Sequence, residues 1–320
     1  MSTLAGEIVA RCLELGFAAA GVAPAHRSDR ETAFRDWISR GEHATMTWLA
    51  ETLEQRLDPA RLLPGARSAV MVADLYAPRG HVDPALPPGH ARVARYARGR
   101  DYHRVVTRRL HTLADELRSR FPAALTRVFA DSAPVAEREL AQRAGLGWVG
   151  KHTLLIHPHL GSWFVLGGLL TTLDLGPPAP TLPDRCGSCT RCIDACPTAA
   201  ITPYHVDASR CIAYLTIERR QPIDPSFHRA LADRLIGCDI CQEVCPHNSP
   251  RPGPLHPPNP QYAPRLASLS TAEVRCWSAD DRAHLLAGTP MMRATLDMLR
   301  RNAEIVERNL APAHDPQPEP

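Results

Sequence analysis

The first half of the chain alternates between helix-like and strand-like spacing of its apolar residues. Apolar positions recur every three to four residues in four segments, which predicts amphipathic helices, and continuous apolar runs between them predict buried strands. The predicted helices are 3–16, 30–40, 102–121 and 136–145, and the predicted strands are 17–23, 67–77, 126–131 and 163–175. Such alternation favours an α/β sheet.

The second half of the chain is punctuated by proline. The stretch GPPAPTLPD at 176–184 predicts a linker, 247–264 is again proline-rich and is expected to be extended, and 270–310 has helical spacing. The sequence therefore predicts four parts, which are a first domain at 1–175, a second domain at 176–250, an extended segment with helices at 251–310 and a disordered tail at 311–320.

Composition narrows the class of protein. Of the 320 residues 44% are hydrophobic, enough for a core, and the net charge of +3 allows an anionic partner without requiring one. Aromatic residues, at 5%, are too few for a surface that stacks long single strands. No window approaches the roughly 18 consecutive apolar residues of a membrane span, and the N-terminal helix lacks the apolar core of a secretory signal. We therefore expect a cytoplasmic protein, in which cysteines bind metal more readily than they form disulfides.

Eight of the ten cysteines fall between residues 186 and 245. The segment CGSCTRCIDACP spaces four of them, followed by proline, as in bacterial ferredoxins that hold two [4Fe–4S] clusters; they are Cys186, Cys189, Cys192 and Cys196. In that arrangement the first three thiolates bind one cluster and the fourth binds the other.

A second, partial motif completes the count. GCDICQEVCP lacks a leading cysteine, and Cys211 is the available substitute. The predicted sets are Cys186, Cys189, Cys192 and Cys245 for the first cluster and Cys196, Cys211, Cys238 and Cys241 for the second, with Cys12 and Cys276 left as buried thiols. Two structural zinc sites are the alternative, because CxxC pairs also suit tetrahedral zinc, but three cysteines at this spacing before Cys-Pro favour iron.

Two clusters in series transfer single electrons, so a terminal acceptor is expected. A bare electron carrier would not need 175 residues ahead of its clusters, which favours a reductase whose first domain holds that acceptor. The chain has neither GxGxxG after a strand nor GxxxxGK[ST], so neither class of nucleotide site is predicted. Asp101-Tyr102-His103 begins like the cobalamin-ligating pattern DxHxxG, but residue 106 is valine, so this motif supplies no lower axial histidine.

The densest polar stretch is VFADSAPVAERELAQRAGLGWVGKHT. Asp131 ends a predicted strand, and Ser132 and Pro134 suit the N-cap and first turn of the next helix, so Asp131 stands where α/β sheets bind ligands. The alternative is that Asp131 only caps the helix. Glu137 and Arg138 are expected to form a surface or inter-helix pair.

The same stretch holds the only lysine of the chain, Lys151, whereas the other 36 basic residues are arginine. One retained ammonium indicates a partner that suits a compact charge on a flexible stem rather than a planar guanidinium. Chance survival in an arginine-biased sequence is the alternative.

This stretch, the upstream RYARGRDYH and LLPGARSAV, and the cysteine pattern together resemble the epoxyqueuosine reductases from about residue 5 to about residue 310. The resemblance implies an α+β/α/β fold in which a reductive-dehalogenase-like, cobalamin-binding domain precedes a ferredoxin-like domain with two [4Fe–4S] clusters and short C-terminal helices. It implies reduction of epoxyqueuosine to queuosine at the wobble position of tRNA, with the epoxide oxygen removed at cobalamin. Longer family members add a C-terminal helical-repeat module.

The resemblance also assigns roles to residues. Asp131 matches the family's proton donor, a role in which burial against the corrin would raise its pKa. Contacts to cobalamin are implied for Arg56, Tyr96, Asp131, Lys151, His152, Gly161, Ser162 and Gln242. Gly161 and Ser162 suit a turn equally well, and Lys151 would meet an amide or phosphate oxygen of the cofactor. The cluster of the second set is expected to lie nearest the corrin.

The implied partners are the tRNA anticodon stem-loop that carries epoxyqueuosine and an external electron donor, and a monomer is expected. Helix 102–121 and three C-terminal arginines, Arg293, Arg300 and Arg301, are candidate phosphate contacts, with a solvated helix face as the alternative. Two other functions stay open, a dehalogenase-like reduction of a small organohalide and electron carriage for another protein. The absence of a twin-arginine export signal disfavours the former, and the large first domain disfavours the latter.

Overall fold

Residues 3–177, 180–251 and 256–311 are described by the computed structural model, and they form eleven strands and thirteen α-helices. The strands are β1 Ala19–Pro24, β2 Ser68–Leu75, β3 His90–Val93, β4 Thr126–Phe129, β5 Trp148–Val149, β6 Leu155–Ile156, β7 Phe164–Thr171, β8 Ile201–Thr202, β9 His205–Val206, β10 Arg234–Ile236 and β11 Ser268–Ser270. The helices are α1 Leu4–Glu14, α2 Glu31–Ser39, α3 Trp48–Glu51, α4 Leu53–Leu57, α5 Tyr102–Arg120, α6 Glu137–Arg143, α7 Arg191–Asp194, α8 Ile212–Ile217, α9 His228–Leu231, α10 Ile240–Glu243, α11 Thr271–Cys276, α12 Ala279–Leu285 and α13 Leu296–Leu310.

A four-stranded sheet in the order β1-β2-β7-β4 organises the first domain. Every residue of β2 is buried, as its unbroken run of small and apolar residues predicts. All three pairings in the sheet are antiparallel. All eight helices and strands predicted for the first half are present, and the strands pair antiparallel, a direction that alternation along the chain does not determine.

Helices cover both faces of this sheet. One apolar cluster joins α1 and α5 to the sheet through residues such as Ile8, Cys12 and Leu110, and a second joins α6 to the opposite face through Met71 and Leu140. The close approach of α6 to the sheet depends on Gly21 in β1, where a Cβ would lie 2.1 Å from the Ala144 carbonyl oxygen. This packing fixes the loop between β4 and α6, which carries Asp131.

A three-stranded sheet, β10-β3-β11, takes one strand from each of the first three predicted parts of the chain. Its apolar cover comes from α11 and α13 and includes Val274, Leu299 and Val306. Each of the three parts therefore packs on the others, while the predicted boundaries at 175 and 250 stay predictions.

The cysteine-rich region contains only short elements, including α7, α10 and the β8–β9 hairpin. Cys12 is buried as predicted, whereas the prediction for Cys276 is wrong, because this last residue of α11 is exposed. Residues 178–179 of the predicted linker, 252–255 of the predicted extended segment and 312–320 of the predicted tail lie outside the described residues. In the described part of the chain, no helix combines the length and the apolarity needed to cross a bilayer.

Candidate active site and cluster region

Asp131 lies in a strained loop between β4 and α6. Its φ of 55° is left-handed, which side chains rarely adopt, and 61% of its side chain is exposed. The predicted N-cap at Ser132 and first turn at Pro134 are wrong, because α6 begins only at Glu137 and its N-cap position, Ala136, makes no side-chain cap bond. A left-handed non-glycine residue in an exposed loop is typical of a functional position.

The carboxylate of Asp131 binds the N-terminal turn of α5. Its Oδ2 accepts a hydrogen bond from the hydroxyl of Tyr102 at 2.8 Å and lies 3.1 Å from Nε2 of His103. The other ring nitrogen of His103, Nδ1, lies 2.7 Å from Oδ1 of Asp101, which also caps the helix by accepting the His103 backbone N–H. The result is a chain of carboxylate, imidazole and carboxylate, in which Asp131 receives its partners from α5 and does not cap α6.

Hydrogen bonds decide which residue of this site holds the proton near neutral pH. Desolvation by the surrounding residues alone would raise the pKa of Asp131, but hydrogen bonds from His103 and Tyr102 outweigh it and lower the pKa, while the raised pKa predicted for a carboxyl packed against a corrin stays a prediction. Burial would lower the pKa of His103, but the hydrogen bonds to Asp101 and Asp131 raise it to about 9. Near neutral pH the proton of the pair therefore resides on His103.

Glu137 and Arg138 do not form the predicted pair, because each binds a different segment. Oε1 of Glu137 accepts the backbone N–H of Asp131 at 2.7 Å, and Arg138 donates to the carbonyl oxygen of Thr153 at 2.9 Å. Burial, reinforced by the charge of Asp131, raises the pKa of Glu137 to about 8. Glu137 therefore both holds the loop and carries a proton near neutral pH.

Three more residues surround the same carboxylate. Arg56, Tyr96 and Arg293 are each close enough to Asp131 for its charge to affect their titration. The ring of Tyr96 also meets Tyr102 edge-on, with centroids 6.1 Å apart. The structure thus brings Arg56 and Tyr96, two of the predicted cobalamin contacts, near Asp131, whose side chain is accessible.

His152 has a buried polar atom without a partner. Its Nδ1 accepts the backbone N–H of Leu154, and burial, with the nearby charge of Arg138, lowers its pKa to about 4. The ring is therefore neutral and carries its hydrogen on Nε2, which is buried and makes no hydrogen bond to the described residues. Such a donor is suited to an acceptor on a bound group.

Gly161, Ser162 and Gln242 form one network with Asn248. Oδ1 of Asn248 accepts the Ser162 N–H at 2.7 Å, and the Ser162 hydroxyl donates to Gln242 at 2.9 Å. Gly161, at φ 75°, approaches so closely that a Cβ would lie 2.1 Å from Oδ1 of Asn248. These three predicted contacts are therefore near one another, in a turn that is already hydrogen-bonded.

The eight thiols of the cysteine-rich region lie close enough to affect one another's pKa values, and the predicted division into two cluster-binding sets stays a prediction. Cys245 interacts electrostatically with Cys186, Cys189 and Cys192, whereas Cys211 interacts with Cys196 and Cys241 with Cys238 and Cys211. Cys241 is also affected by Cys192, so the two sets are adjacent. The charge of Arg138 acts on Cys211 and Cys241 as well as on Asp131, which puts the second set on the side of the candidate active site.

Backbone N–H groups face many of these sulfurs. The N–H of Ala200 donates to Cys196 at 3.4 Å, and further backbone N–H groups, from Ala213, Tyr214, Ile240 and His247, favour the thiolates of Cys211, Cys238 and Cys245. Burial acts in the opposite direction and raises the pKa of Cys238 to about 12 and that of Cys245 to about 11. All ten cysteines are free thiols, and in the described ranges no three His, Cys, Asp or Glu side chains are grouped tightly enough to hold a single metal ion.

Two of the three arginines considered for phosphate binding are committed inside the protein. Arg301 donates to the backbone carbonyls of Leu215, Arg219 and Gln221, and Arg300 donates to that of Trp277. Arg293 pairs with Glu218 at 2.6 Å but is half exposed and lies near Asp131. The sequence analysis assigns no role in the site to Tyr102, His103 or Glu137. The Asp101-Tyr102-His103 triplet, which begins like DxHxxG, is the signal that points to the first two.

Comparison with known proteins identifies the family. A family model described as "Epoxyqueuosine reductase QueG, DUF1730" matches residues 56–132, and a model described as "4Fe-4S double cluster binding domain" matches residues 185–248. An epoxyqueuosine reductase of Synechococcus sp. (strain CC9605) is 41% identical over 94% of this chain and 94% of its own length. The chain belongs to the epoxyqueuosine reductase family. A relative from Vibrio cholerae is 39% identical and is covered over 83% of its length.

Solved structures of epoxyqueuosine reductases share the whole fold. One, in complex with an epoxyqueuosine-modified tRNA stem loop, has a TM-score of 0.85 and 28% identity, with 95% of this chain and 80% of that chain covered. A structure from Bacillus subtilis, with a TM-score of 0.84, has the loop of its catalytic aspartate swung out of the active site. The chain is therefore an oxidoreductase with the fold of this family, including a double-cluster domain.

Proposed function

We propose that this protein reduces epoxyqueuosine to queuosine in tRNA. The observation that carries the proposal is the chain of Asp101, His103 and Asp131 beside two sets of four thiols. Two electrons and two protons are needed, because both epoxide C–O bonds break, a C=C bond forms and the oxygen leaves as water. The chain offers proton carriers at one place and ligands for one-electron centres next to it.

The first set of thiols, Cys186, Cys189, Cys192 and Cys245, would hold one [4Fe–4S] cluster, and the second set, Cys196, Cys211, Cys238 and Cys241, would hold the other. The donor chemistry fits, because buried thiols with pKa values of about 11 to 12 need a cationic partner to ionise, and iron supplies it. The backbone N–H groups that face the sulfurs are typical of cluster sites. The cluster held by the second set, on the side of Asp131, would transfer electrons directly to the acceptor.

Cobalamin is the acceptor that the family resemblance implies, and the residues around Asp131 fit it. The unpartnered, buried Nε2–H of His152 and the guanidinium of Arg56 are suited to a large group with amide and phosphate oxygens. When bound, the cofactor would supply the reduced cobalt that attacks or reduces the epoxide carbon.

The proton for the departing oxygen would come from His103 through Asp131. The imidazolium holds the proton on Nε2, 3.1 Å from Oδ2 of Asp131, so a short transfer makes Asp131 the acid that faces substrate. The left-handed backbone at Asp131, held by Glu137, keeps this carboxylate exposed beside the substrate space. Glu137, which accepts the backbone N–H of Asp131, would carry a second proton near the same carboxylate.

A tRNA anticodon stem-loop is the proposed substrate, as in the solved complex of a relative. Arg293 is the arginine best placed for its phosphates, since it is half exposed beside Asp131, while Arg300 and Arg301 are held by backbone carbonyls. Cytoplasmic location, a monomeric state and an external one-electron donor complete the proposal.

The test is Asp131→Asn in protein reconstituted anaerobically with iron, sulfide and cobalamin. We expect queuosine formation on an epoxyqueuosine stem-loop to fall by at least about 100-fold, because Asn accepts no proton from His103. Iron content and cobalamin binding should equal those of the wild-type protein.

The matched control is Asp174→Asn, which removes an exposed carboxylate paired with Arg67 on the surface. It should retain wild-type turnover. Wild-type protein that carries iron and cobalamin but leaves epoxyqueuosine unchanged would refute the proposed activity, and equal turnover in Asp131→Asn would refute the role of Asp131.

A further inference from the structure

Lys151 contacts the loop of the first thiol set rather than the surroundings of Asp131. It lies in the turn between β5 and β6, and its Nζ donates to the carbonyl oxygens of Gly187 at 2.6 Å and Cys189 at 3.0 Å. Both carbonyls belong to the segment between the first two cysteines of the set. In the structure this ammonium binds the cluster loop, and its predicted contact with cobalamin stays a prediction.

The backbone of Lys151 binds the same region. Its N–H is directed to the sulfur of Cys186, and its carbonyl oxygen accepts the N–H of Tyr204 at 3.1 Å. The hydroxyl of Tyr204 in turn donates to Asp184, whose carboxylate accepts the Cys186 N–H at 2.8 Å. The side chain of Lys151 therefore binds the 186–189 loop directly, and its backbone is linked to the start of the same loop through Tyr204 and Asp184.

Trp148, at the start of the same hairpin, points a second donor at this sulfur. Its indole is 1% exposed and packs in one apolar cluster with Cys245 and Cys186. The indole Nε1–H makes no hydrogen bond to the described residues, and it is near enough to the Cys186 thiol to favour its ionised form. Two N–H groups of the hairpin therefore converge on one sulfur.

The geometry explains why lysine is retained at this one position. Two carbonyl oxygens, from residues two apart, meet at a single point, which a compact ammonium with three donors can serve and a planar, longer guanidinium cannot. A fixed positive charge and N–H···S hydrogen bonds stabilise the cluster more strongly after it gains an electron, because its negative charge is then larger. Both effects raise a cluster's reduction potential.

We propose that Lys151 is a positioning residue for the first cluster, which clamps the 186–189 loop and raises the reduction potential of that cluster. The inference rests on the cluster ligation proposed above. Reduction adds one electron to the first cluster without making or breaking a covalent bond. Dithionite supplies that electron in the test.

The experiment is an EPR-monitored redox titration of the reconstituted holoprotein and its Lys151→Met variant. We expect the first cluster to become harder to reduce by at least tenfold, equivalent to about 59 mV for one electron. The second cluster should be unchanged, and Lys151→Arg, which keeps the charge, should show a smaller shift. Cys189→Ser, which alters the EPR signal of the first cluster alone, assigns the two signals.

The matched control is Arg191→Met, which removes an exposed cation next to Cys192 whose charge is screened by water. A shift as large as that of Lys151→Met, or unchanged potentials in Lys151→Met, would overturn the proposal. If Lys151→Met cannot retain the first cluster, the titration is repeated with Trp148→Phe. Loss of the indole N–H should lower the reduction potential of the first cluster, and an unchanged potential would contradict the proposal. Wild-type protein with about eight irons per chain confirms the ligation whatever the potentials show.

Discussion

At the scale of single residues, the exposed carboxylate and the stored proton belong to two different side chains, Asp131 and His103. A single carboxylic acid would otherwise have to provide both. Asp131 is ionised and exposed in its loop, whereas His103, behind it in the N-terminal turn of α5, is protonated. Asp101 on the far side of the ring keeps the imidazolium stable by accepting from Nδ1. A carboxylate that borrows its proton from a charged neighbour can act as an acid at a pH well above its own pKa.

Activity should therefore fall as the pH rises through about 9. The pKa of His103 is raised, so its proton is fully present below the ordinary value of about 6.5 and is lost only above about 9. His103→Gln should lower the single-turnover rate by about 100-fold and remove the decline near pH 9. The measurement is the rate of queuosine formation by pre-reduced enzyme between pH 6 and 10, a range set by these values.

Besides Asp131, three groups lie against the imidazole of His103, and the experiment must distinguish their titration from that of His103. They are Asp101, Glu137 and Tyr102, and Tyr102 stacks on the ring at 4.1 Å. Tyr102→Phe removes one hydrogen bond to Asp131 but leaves the imidazolium, so it should keep the decline near pH 9. A His103→Gln profile that coincides with the wild-type profile would assign the titrating group to Glu137 instead.

At the scale of elements, the active-site loop depends on how closely α6 packs on β1. Gly21 allows this contact, because a Cβ there would lie 2.1 Å from the carbonyl oxygen of Ala144, which is backbone and cannot rotate away. Gly21→Ala should therefore lower the free energy of unfolding by about 1–3 kcal/mol. It should also slow queuosine formation, since α6 carries Glu137, which holds Asp131. Chemical denaturation and the turnover assay check the two effects.

Gly6→Ala is the matched control for this substitution. Gly6 lies in α1, where the nearest atom to a Cβ is the Thr3 hydroxyl at 3.4 Å, an ordinary contact. Alanine favours the helix by roughly 0.5–1 kcal/mol, so stability should be equal or higher. Equal stability of both variants would mean that the α6 contact relaxes without cost.

Local pattern predicted elements well and contacts between distant elements poorly. The spacing of cysteines predicted the double-cluster domain, and that of apolar residues predicted eight helices and strands, because both signals are carried within a few residues. Strand pairing, the start of α6 and the hydrogen bonds of Lys151 depend on partners far along the chain; the Lys151 ammonium binds a carbonyl 36 residues away. At Ser132 the cap signal was overruled, since Glu137 takes the Asp131 N–H and the helix begins later.

At the scale of the whole molecule, one buried carboxylate joins the first domain to the C-terminal segment. Asp74 in β2 is 1% exposed and accepts hydrogen bonds from Arg109 in α5, from the Tyr262 hydroxyl at 2.5 Å and from the Asn259 amide at 3.1 Å. The backbone N–H of Asn259 also donates to Leu75 at 2.8 Å. The segment that follows the cluster region is thus anchored to the central sheet, as the shared β10-β3-β11 sheet requires.

Asp74→Ala should destabilise the whole protein and not one domain of it. Removing the carboxylate leaves the Arg109 charge and the Tyr262 hydroxyl buried without their partner, which costs about 3–5 kcal/mol. In anaerobic denaturant titrations, tryptophan fluorescence and the visible absorbance of the clusters should shift together to lower denaturant. Asp174→Ala, which breaks the exposed pair with Arg67, should change stability by only about 0–1 kcal/mol. A cluster absorbance that persists at its wild-type midpoint in Asp74→Ala would mean that the cluster region unfolds independently, because the loss would then be confined to the sheet that Asp74 occupies.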